Sequence, residues 1–379
     1  MSQSTWTPPP GRRDISTDRL SVDPVRALPA MHGGWLYALT GVRNPAPEPK
    51  ATCADCVMCA GVGRSNSRVT FSPDAKCCSY IPHVSNFLAG RALAGPGRDS
   101  VELRIRRRGG VSPLGLGLSP SDLRRLADTQ SRFGSTAIVR CPHYVTETQG
   151  CSIWESRNAV CSTWFCQHER GDVSLKFWHA VRDLLVTVEE HLARHCLENS
   201  GLPAEQVRAV LDNRTAMREA VGRANAGEDP AVDAAHEDSP ELHSRLWGAW
   251  EGREEEWFAR CAELADAVGD TELRDLLGQT PEVVEAVRTR LDALGRHELP
   301  DRLRFEPGAA SEATTDVLRL VGYSPFDPLV LAADLEPALW QLDGRPVADV
   351  LAAPGHGGRL DEDVLGRLVD FGLAVTPDA

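Results

Sequence analysis

The sequence predicts a mainly α-helical protein with an irregular cysteine-rich metal-binding domain, a helical middle and a small winged-helix-like C-terminal unit. Three observations support this prediction. Nine of the eleven cysteines lie between Cys53 and Cys166. After Gly171, apolar residues recur at intervals of three and four, which is the period of an amphipathic helix. From Pro325 onward, short apolar runs alternate with glycine-containing turns, which indicates a small separate unit.

These patterns divide the chain into four segments. We expect an extended N-terminal arm over 1–49, a cysteine-cluster metal-binding domain over 50–170, a helical domain over 171–308 and a winged-helix-like unit over 325–379. No apolar run approaches the roughly 20 residues needed to span a bilayer, so we expect no membrane association. The first residues lack the apolar core of a secretory signal, which predicts a cytoplasmic protein.

The thiols are expected to bind metal. An odd cysteine count and the missing signal argue against a disulfide framework. Cys53, Cys56 and Cys59 in "CADCVMC" repeat a Cys-x2-Cys spacing, in which two sulfurs can face one centre from a tight turn. Such a run followed by a distant Cys-Pro, here Cys141-Pro142, is typical of bacterial ferredoxin sites. We therefore favour a 4Fe-4S iron-sulfur cluster over zinc and keep zinc as the alternative.

The thiols outnumber the ligands of a single centre. Those left after one site is filled are Cys77, Cys78, Cys151, Cys161 and Cys166. We predict more than one metal ion per chain, one anchored by Cys53/Cys56/Cys59 and one by Cys151/Cys161/Cys166. His143 and His168 are close to cysteines in sequence and could replace a thiolate or act as surface or capping residues.

Charge is distributed unevenly along the chain. Residues 1–140 contain 19 Lys+Arg and 10 Asp+Glu, which leaves 22 and 44 for the remainder and a net charge of −13. The basic run "RIRRRGG" over 104–110 is not accompanied by a helix-turn-helix or zinc-finger pattern, so we expect no nucleic-acid partner. Arginines close to metal-bound thiolates would instead offset their negative charge.

The helical middle begins with one long amphipathic segment, "DVSLKFWHAVRDLLVTVEEHLARHC". Its predicted buried stripe consists of Phe177, Val181, Leu184, Val188, Leu192 and Cys196. His191 and His195 are spaced i, i+4 at the edge of the stripe, but the stretch lacks the glutamate of a metalloprotease helix. We expect a packed or capping pair.

Three further helices are predicted over 203–224, 240–268 and 281–295, the last two beginning at a proline that follows Ser239 or Thr280. A tryptophan stripe in the second of them, formed by Trp247, Trp250 and Trp257, indicates core packing. Cys196 and Cys261 are expected to be buried in helical cores.

The C-terminal unit is predicted to contain two short helices, a turn at Asp343-Gly344, a third helix that begins at Asp361 and a final short strand, "LAV". It contains no cysteine, and its carboxylates do not converge, so we expect no catalytic residue there. Its exposed strand edge could accept a peptide or protein partner, and simple packing on the helical middle is the alternative.

The cysteine motifs resemble those of YkgJ-like cysteine-cluster proteins, which chelate zinc or iron. The resemblance rests on "CADCVMC", a Cys-Cys pair before Tyr and Pro, "CPHY" and "GCSIWESRNAVCSTWFC", over about residues 50–170. Here 17 residues separate Cys59 from the Cys-Cys pair, and Asn158 stands where the family commonly has Pro. The resemblance implies that Arg157 is the family's arginine. It also implies metal coordination by Cys53, Cys56, Cys77, Cys78, Cys141, Cys151, Cys161 and Cys166.

The sequence therefore predicts a metal-binding protein acting in redox chemistry, metal handling or protein modification. One alternative is a peptide- or protein-modifying, methylase-like enzyme with a C-terminal docking domain, because flagellin lysine methylases share a similar cysteine domain. Another is a structural zinc protein that acts through partner binding. No Ser/His/Asp order, phosphate loop or dinucleotide fingerprint identifies a substrate, so whether the protein is an enzyme stays open.

Overall fold

The computed structural model describes residues 28–43, 45, 48, 56–59, 67–129, 132–230, 239–278, 280–296, 299–306, 310–353 and 360–377. The protein is mainly α-helical, with fourteen α-helices and eleven short strands in these ranges. The helices are α1 (Ala30–Thr40), α2 (Asn86–Leu93), α3 (Arg98–Arg107), α4 (Pro120–Thr129), α5 (Ala159–Ser162), α6 (Gly171–Glu198), α7 (Ala204–Asn225), α8 (Pro240–Trp247), α9 (Glu254–Ala267), α10 (Asp270–Leu276), α11 (Pro281–Gly295), α12 (Glu336–Leu339), α13 (Val347–Ala352) and α14 (Glu362–Asp370). The strands are β1 (Val84–Ser85), β2 (Val111–Ser112), β3 (Gly115–Leu116), β4 (Tyr144–Val145), β5 (Gly150–Cys151), β6 (Arg302–Phe305), β7 (Ala310–Ala313), β8 (Val317–Val321), β9 (Leu329–Ala332), β10 (Asp343–Pro346) and β11 (Ala374–Val375).

The largest hydrophobic core surrounds α6. The predicted stripe from Phe177 to Cys196 is buried, and α11, α9, α5 and α1 pack against this helix. Helices α2 and α9 also pack together, and Gly90 faces the backbone of Phe258 with no room for a side chain. Cys196 and Cys261 are both fully buried here, which confirms the expectation for the two outlying cysteines.

The expected N-terminal arm is corrected over 30–40, where the chain forms helix α1. His32, Leu36 and Leu39 are buried on this helix, because α1 packs on α6, α10 and α11. Residues 1–27 of the predicted arm lie outside the described residues.

The helix predicted over 240–268 forms two helices, α8 and α9. Gly248 and Gly252 adopt left-handed backbone angles, with φ of 51° and 79°, which an α-helix does not tolerate. Ser239 caps α8 by accepting a hydrogen bond from the Leu242 amide at 3.2 Å. The break lets Trp247 and Trp257 pack edge to face inside the core, as the tryptophan stripe predicted.

A second hydrophobic core forms the C-terminal unit, and it begins earlier than the predicted residue 325. Leu303, Phe305, Leu318 and Leu320 are buried together with residues as far as Ala374. Two antiparallel three-stranded sheets, ordered β7-β8-β9 and β10-β6-β11, carry these side chains. The predicted third helix begins as expected, since the Asp361 side chain accepts from the Val364 amide at 2.9 Å.

The C-terminal unit packs against the rest of the chain through a buried ion pair. Arg170, immediately before α6, donates to both carboxylate oxygens of Asp370, at 3.0 and 2.5 Å. The same guanidinium donates to backbone carbonyls at the end of α11, including that of Leu294 at 2.5 Å. This arrangement favours the alternative that the unit packs on the helical middle.

No helix in the described ranges combines the length and apolar character that crossing a bilayer requires.

Candidate metal centre

The first cysteine motif folds as a tight turn. The Cys59 amide donates to the Cys56 carbonyl at 3.2 Å, and the Phe71 amide donates to the Met58 carbonyl at 2.7 Å. Val57, Met58 and Phe71 are buried beneath the turn. The Cys56 and Cys59 thiols lie within hydrogen-bonding reach of each other, as the Cys-x2-Cys spacing predicts. Cys53 lies outside the described residues.

The Cys77-Cys78 pair lies in a short 3-10 helix, Lys76–Cys78. The Cys78 carbonyl accepts a hydrogen bond from the Cys141 amide at 2.6 Å, which ties the pair to the Cys-Pro motif. Cys151 is brought to the same place by the β4–β5 hairpin, in which it pairs with Tyr144. Cys77 and Cys151 are 74 residues apart in sequence. The Cys78–Cys141 hydrogen bond and the β4–β5 hairpin therefore link their two segments.

The last cysteine motif is held by Asn158. Its side-chain oxygen accepts from the Cys161 amide at 3.0 Å, and its side-chain amide donates to the His83 carbonyl at 3.0 Å. The residue therefore caps α5 and ties it to the strand region near β1. A proline at this position would provide neither bond, so Asn158 has a specific structural role in this chain.

Packing separates the described thiols into two neighbouring groups. Cys56, Cys59, Cys77 and Cys166 contact the small core of Val57, Met58 and Phe71. Cys151 packs instead against the main core. The spacing predicted a centre formed by Cys166 with Cys151 and Cys161, whereas Cys166 packs beside the first motif.

The charge of Cys77 affects the pKa values of thiols in both groups. Burial is the main cause that raises the pKa of Cys59 to about 11 and that of Cys141 to about 12, and the Cys77 thiolate adds to both shifts. Burial also raises the pKa of Cys161 and Cys166, again with a contribution from Cys77. A hydrogen bond with Cys78 lowers the pKa of Cys77 itself. Among the described thiols, Cys77 therefore lies within electrostatic range of members of both groups.

Three cations surround the thiols. Lys76 favours the thiolate forms of Cys59 and Cys77, Arg157 favours those of Cys151 and Cys161, and Arg104 favours that of Cys141. Lys76 is held by the Gln149 carbonyl at 2.7 Å, and Arg157 stacks on Trp154 at 3.7 Å from the ring centroid. Arg104, from the basic run, is buried and donates to the Gly109 carbonyl at 3.1 Å. The arrangement agrees with cations that offset thiolate charge.

The two candidate histidine ligands have structural partners. His143 is buried, and its Nδ1 lies 2.8 Å from the Ser100 hydroxyl, while burial and then Arg104 lower its pKa to about 4. The Nδ1 of His168 lies 3.2 Å from the Tyr323 hydroxyl, and its backbone amide donates to Asp327. In the helical middle, His191 Nδ1 lies 2.8 Å from the Thr187 carbonyl oxygen, as expected for a packed residue.

Within the described ranges, no three His, Cys, Asp or Glu side chains adopt a metal-coordinating arrangement. No disulfide joins the ten described cysteines either. The donor chemistry nevertheless fits a thiolate-bound metal, because eight thiols share one region with three cations. Thiolates are the ligands that zinc and iron-sulfur clusters share.

A buried polar cluster beside the thiols has no signature in the sequence. His32 on α1 lies 3.1 Å from the Ser162 hydroxyl and 3.0 Å from the Glu189 carboxylate, which also accepts from the Ala159 amide at 2.7 Å. The order Ser-His-Glu resembles a hydrolase triad. Ser162 is only 1% exposed, so no substrate carbonyl can reach its oxygen. We interpret the cluster as a clamp that fixes α1 and α5 on α6.

The comparisons with known proteins give no relative. No protein-family model, no curated protein and no solved structure matches the chain.

Proposed function

We propose that the cysteine region binds a thiolate-coordinated metal centre, and that an iron-sulfur cluster is favoured over zinc. The main support is the position of Cys77, which interacts electrostatically with thiols from both groups. The cysteines that would hold metal are Cys53, Cys56, Cys59, Cys77, Cys78, Cys141, Cys151, Cys161 and Cys166. An iron-sulfur cluster would supply electron transfer, whereas zinc would supply structural cross-linking.

Aromatic side chains would shield one side of the centre from water, where Phe71 is buried and Trp164 is 41% exposed. Phe71 and Phe133 pack edge to face at 5.6 Å between ring centroids, and Phe133 contacts Trp164 at 5.5 Å. Phe326 also packs against Phe71, with 5.5 Å between the two ring centroids. Apolar groups around thiolate ligands control solvent access and thereby tune a cluster's reduction potential.

The division of the thiols into two packing groups supports more than one metal ion per chain. Cys56, Cys59 and Cys166 would anchor one centre, with Cys53, and Cys141, Cys151 and Cys161 would anchor another. Cys77 packs with the first group and interacts electrostatically with Cys161 of the second, and the Cys78 carbonyl accepts from the Cys141 amide. This assignment replaces the pairing of Cys166 with Cys151 that the spacing suggested.

The experiment compares Cys77→Ala with Cys261→Ala by metal analysis of anaerobically purified protein. Cys77→Ala should lose metal, because it removes the thiol common to both groups. Cys261→Ala is the control, since it removes a fully buried cysteine that lies in the helical core and belongs to neither group of thiols. Equal metal content in both variants would contradict the proposal.

We propose that the C-terminal unit, which packs on the helical middle through Asp370, also docks a peptide or protein partner at a strand edge of its sheet. Strand β11 is at the edge of its sheet and pairs only with β6 among the described strands. An edge strand can extend its sheet by pairing with a peptide. We further infer a reducing cytoplasmic environment, in which such thiols stay available to metal.

A further inference from the structure

A cavity of about 800 Å³ lies beside the cysteine region, between α6, α7, α8 and the sheet formed by β1, β2 and β3. Its volume is within the range of small-molecule sites, roughly 300–1,000 Å³. Tyr80 and Asn158 line it on the side of the thiols, and Cys161 interacts electrostatically with Tyr80. No element of the metal-binding proposal uses this space.

The wall formed by α6 and α7 carries an excess of positive charge. Arg214 and Arg218, one turn apart on α7, both contact the same Glu190 carboxylate oxygen, at 3.0 and 3.1 Å. One carboxylate cannot neutralise two guanidiniums. Arg108 and Arg245 also line the cavity, and neither forms an ion pair within the described residues.

The other acidic groups of the cavity do not remove this excess. Glu189 is occupied by His32 and the Ala159 amide, which leaves Glu219 as the remaining carboxylate of the lining. Five arginines and three glutamates line the cavity in total. Guanidinium groups bind carboxylates and phosphates through paired hydrogen bonds, so the wall is suited to an anion.

His83 adds a polar group to the same wall. Its ring is accessible to water in the cavity but is enclosed by the surrounding walls. No hydrogen bond joins a described residue to the ring, which leaves its ring nitrogens available beside the two arginines.

Part of the cavity lining is apolar. Ile81, Val111 and Leu114 line it from the sheet region, and Met217 lines it from α7. A ligand that fits both surfaces has an anionic group and an apolar body.

We infer that this cavity binds a small organic molecule with a carboxylate or phosphate group, held by Arg214 and Arg218, and an apolar part that contacts Leu114 and Met217. The site goes beyond the metal-binding proposal and does not depend on it.

The test uses the full chain and three aromatic probes of similar size: phenyl phosphate, benzoate and the neutral benzyl alcohol. Isothermal titration calorimetry should show saturable binding of at least one anion and none of the alcohol. Comparing phenyl phosphate with benzoate distinguishes a phosphate ligand from a carboxylate ligand. The double variant Arg214→Gln/Arg218→Gln should weaken anion binding by about tenfold or more, because charged hydrogen bonds are lost. Arg290→Gln, an exposed arginine on α11, is the matched control and should bind as the natural chain does.

A second variant keeps the test decisive if the double variant fails to fold. Met217→Trp leaves both arginines in place but puts a larger ring into the space proposed for the apolar part of the ligand, so it should weaken anion binding by about tenfold or more while circular dichroism shows intact helices. The inference is overturned if neither anion binds, if benzyl alcohol binds equally well, or if both variants bind like Arg290→Gln.

Discussion

Substituting Asp370 tests whether the C-terminal unit is part of the folded core. The Arg170–Asp370 pair is nearly inaccessible, with side-chain exposures of 10% and 7%, so solvent screens it little. Removing one partner of a buried pair typically costs about 3–5 kcal/mol, because the other charge stays buried without its partner. In Asp370→Ala, Arg170 keeps its bonds to the carbonyls at the end of α11. We therefore expect a loss of free energy of unfolding near the lower limit, about 3 kcal/mol.

Two further variants extend the prediction to a ranking of the loss of stability. Arg170→Met should destabilise the protein more than Asp370→Ala does, because it leaves both the carboxylate and the α11 carbonyls unpaired. Asp343→Ala removes an exposed ion pair with Arg345 in the same unit and should leave stability unchanged.

The assay is urea-induced unfolding of all three variants, followed by far-ultraviolet circular dichroism. If Asp370→Ala and Asp343→Ala have the same unfolding midpoint and slope, the buried pair does not join the unit to the core, and the reasoning is refuted.

Four other predictions follow from single features. Glu48 is buried, and burial raises its pKa to about 7, so folding stability should fall as pH rises from about 4.5 to about 7; Glu48→Gln should flatten the stability–pH curve in that window. Gly90→Ala should destabilise by about 1–3 kcal/mol in thermal unfolding, because its methyl group clashes with the Phe258 carbonyl, whereas Gly34→Ala, with open space around it, should not. Chelation should increase hydrogen exchange across the cysteine region, and unchanged exchange after complete metal removal would contradict a folding role for metal. Deleting 325–379 should cause aggregation that light scattering detects, because the β6 and β8 side chains lose their core, while metal content persists.

Local patterns in the sequence predicted the helical middle well. The stripe of α6, the bounds of α7 and the Pro281 start of α11 all follow from periodicity and helix-start signals. The break between α8 and α9 was missed because the expectation extended across Gly248 and Gly252, although glycine pairs are known helix terminators. Helix α1 has few polar residues to show a period, and its burial depends on contacts with distant helices.

In the candidate sites, too, features formed by neighbouring residues could be predicted, whereas features formed by distant residues could not. The Cys-x2-Cys turn depends on neighbouring residues, so its geometry could be predicted. The position of Cys166 beside Cys56 depends on how the chain returns after α5, which no spacing rule encodes. The arginine-lined cavity and the His32 cluster gather residues from several helices, and their local sequences contain no motif.

The most direct test of the central proposal is the metal and sulfide content of the anaerobically purified chain, measured together with its ultraviolet–visible spectrum. The proposal predicts iron and acid-labile sulfide, more than one metal ion per chain and a broad absorption band in the visible blue that bleaches on reduction. Zinc in place of iron would support thiolate coordination and contradict the iron-sulfur assignment. A metal-free protein whose cysteines all titrate freely would contradict the proposal as a whole.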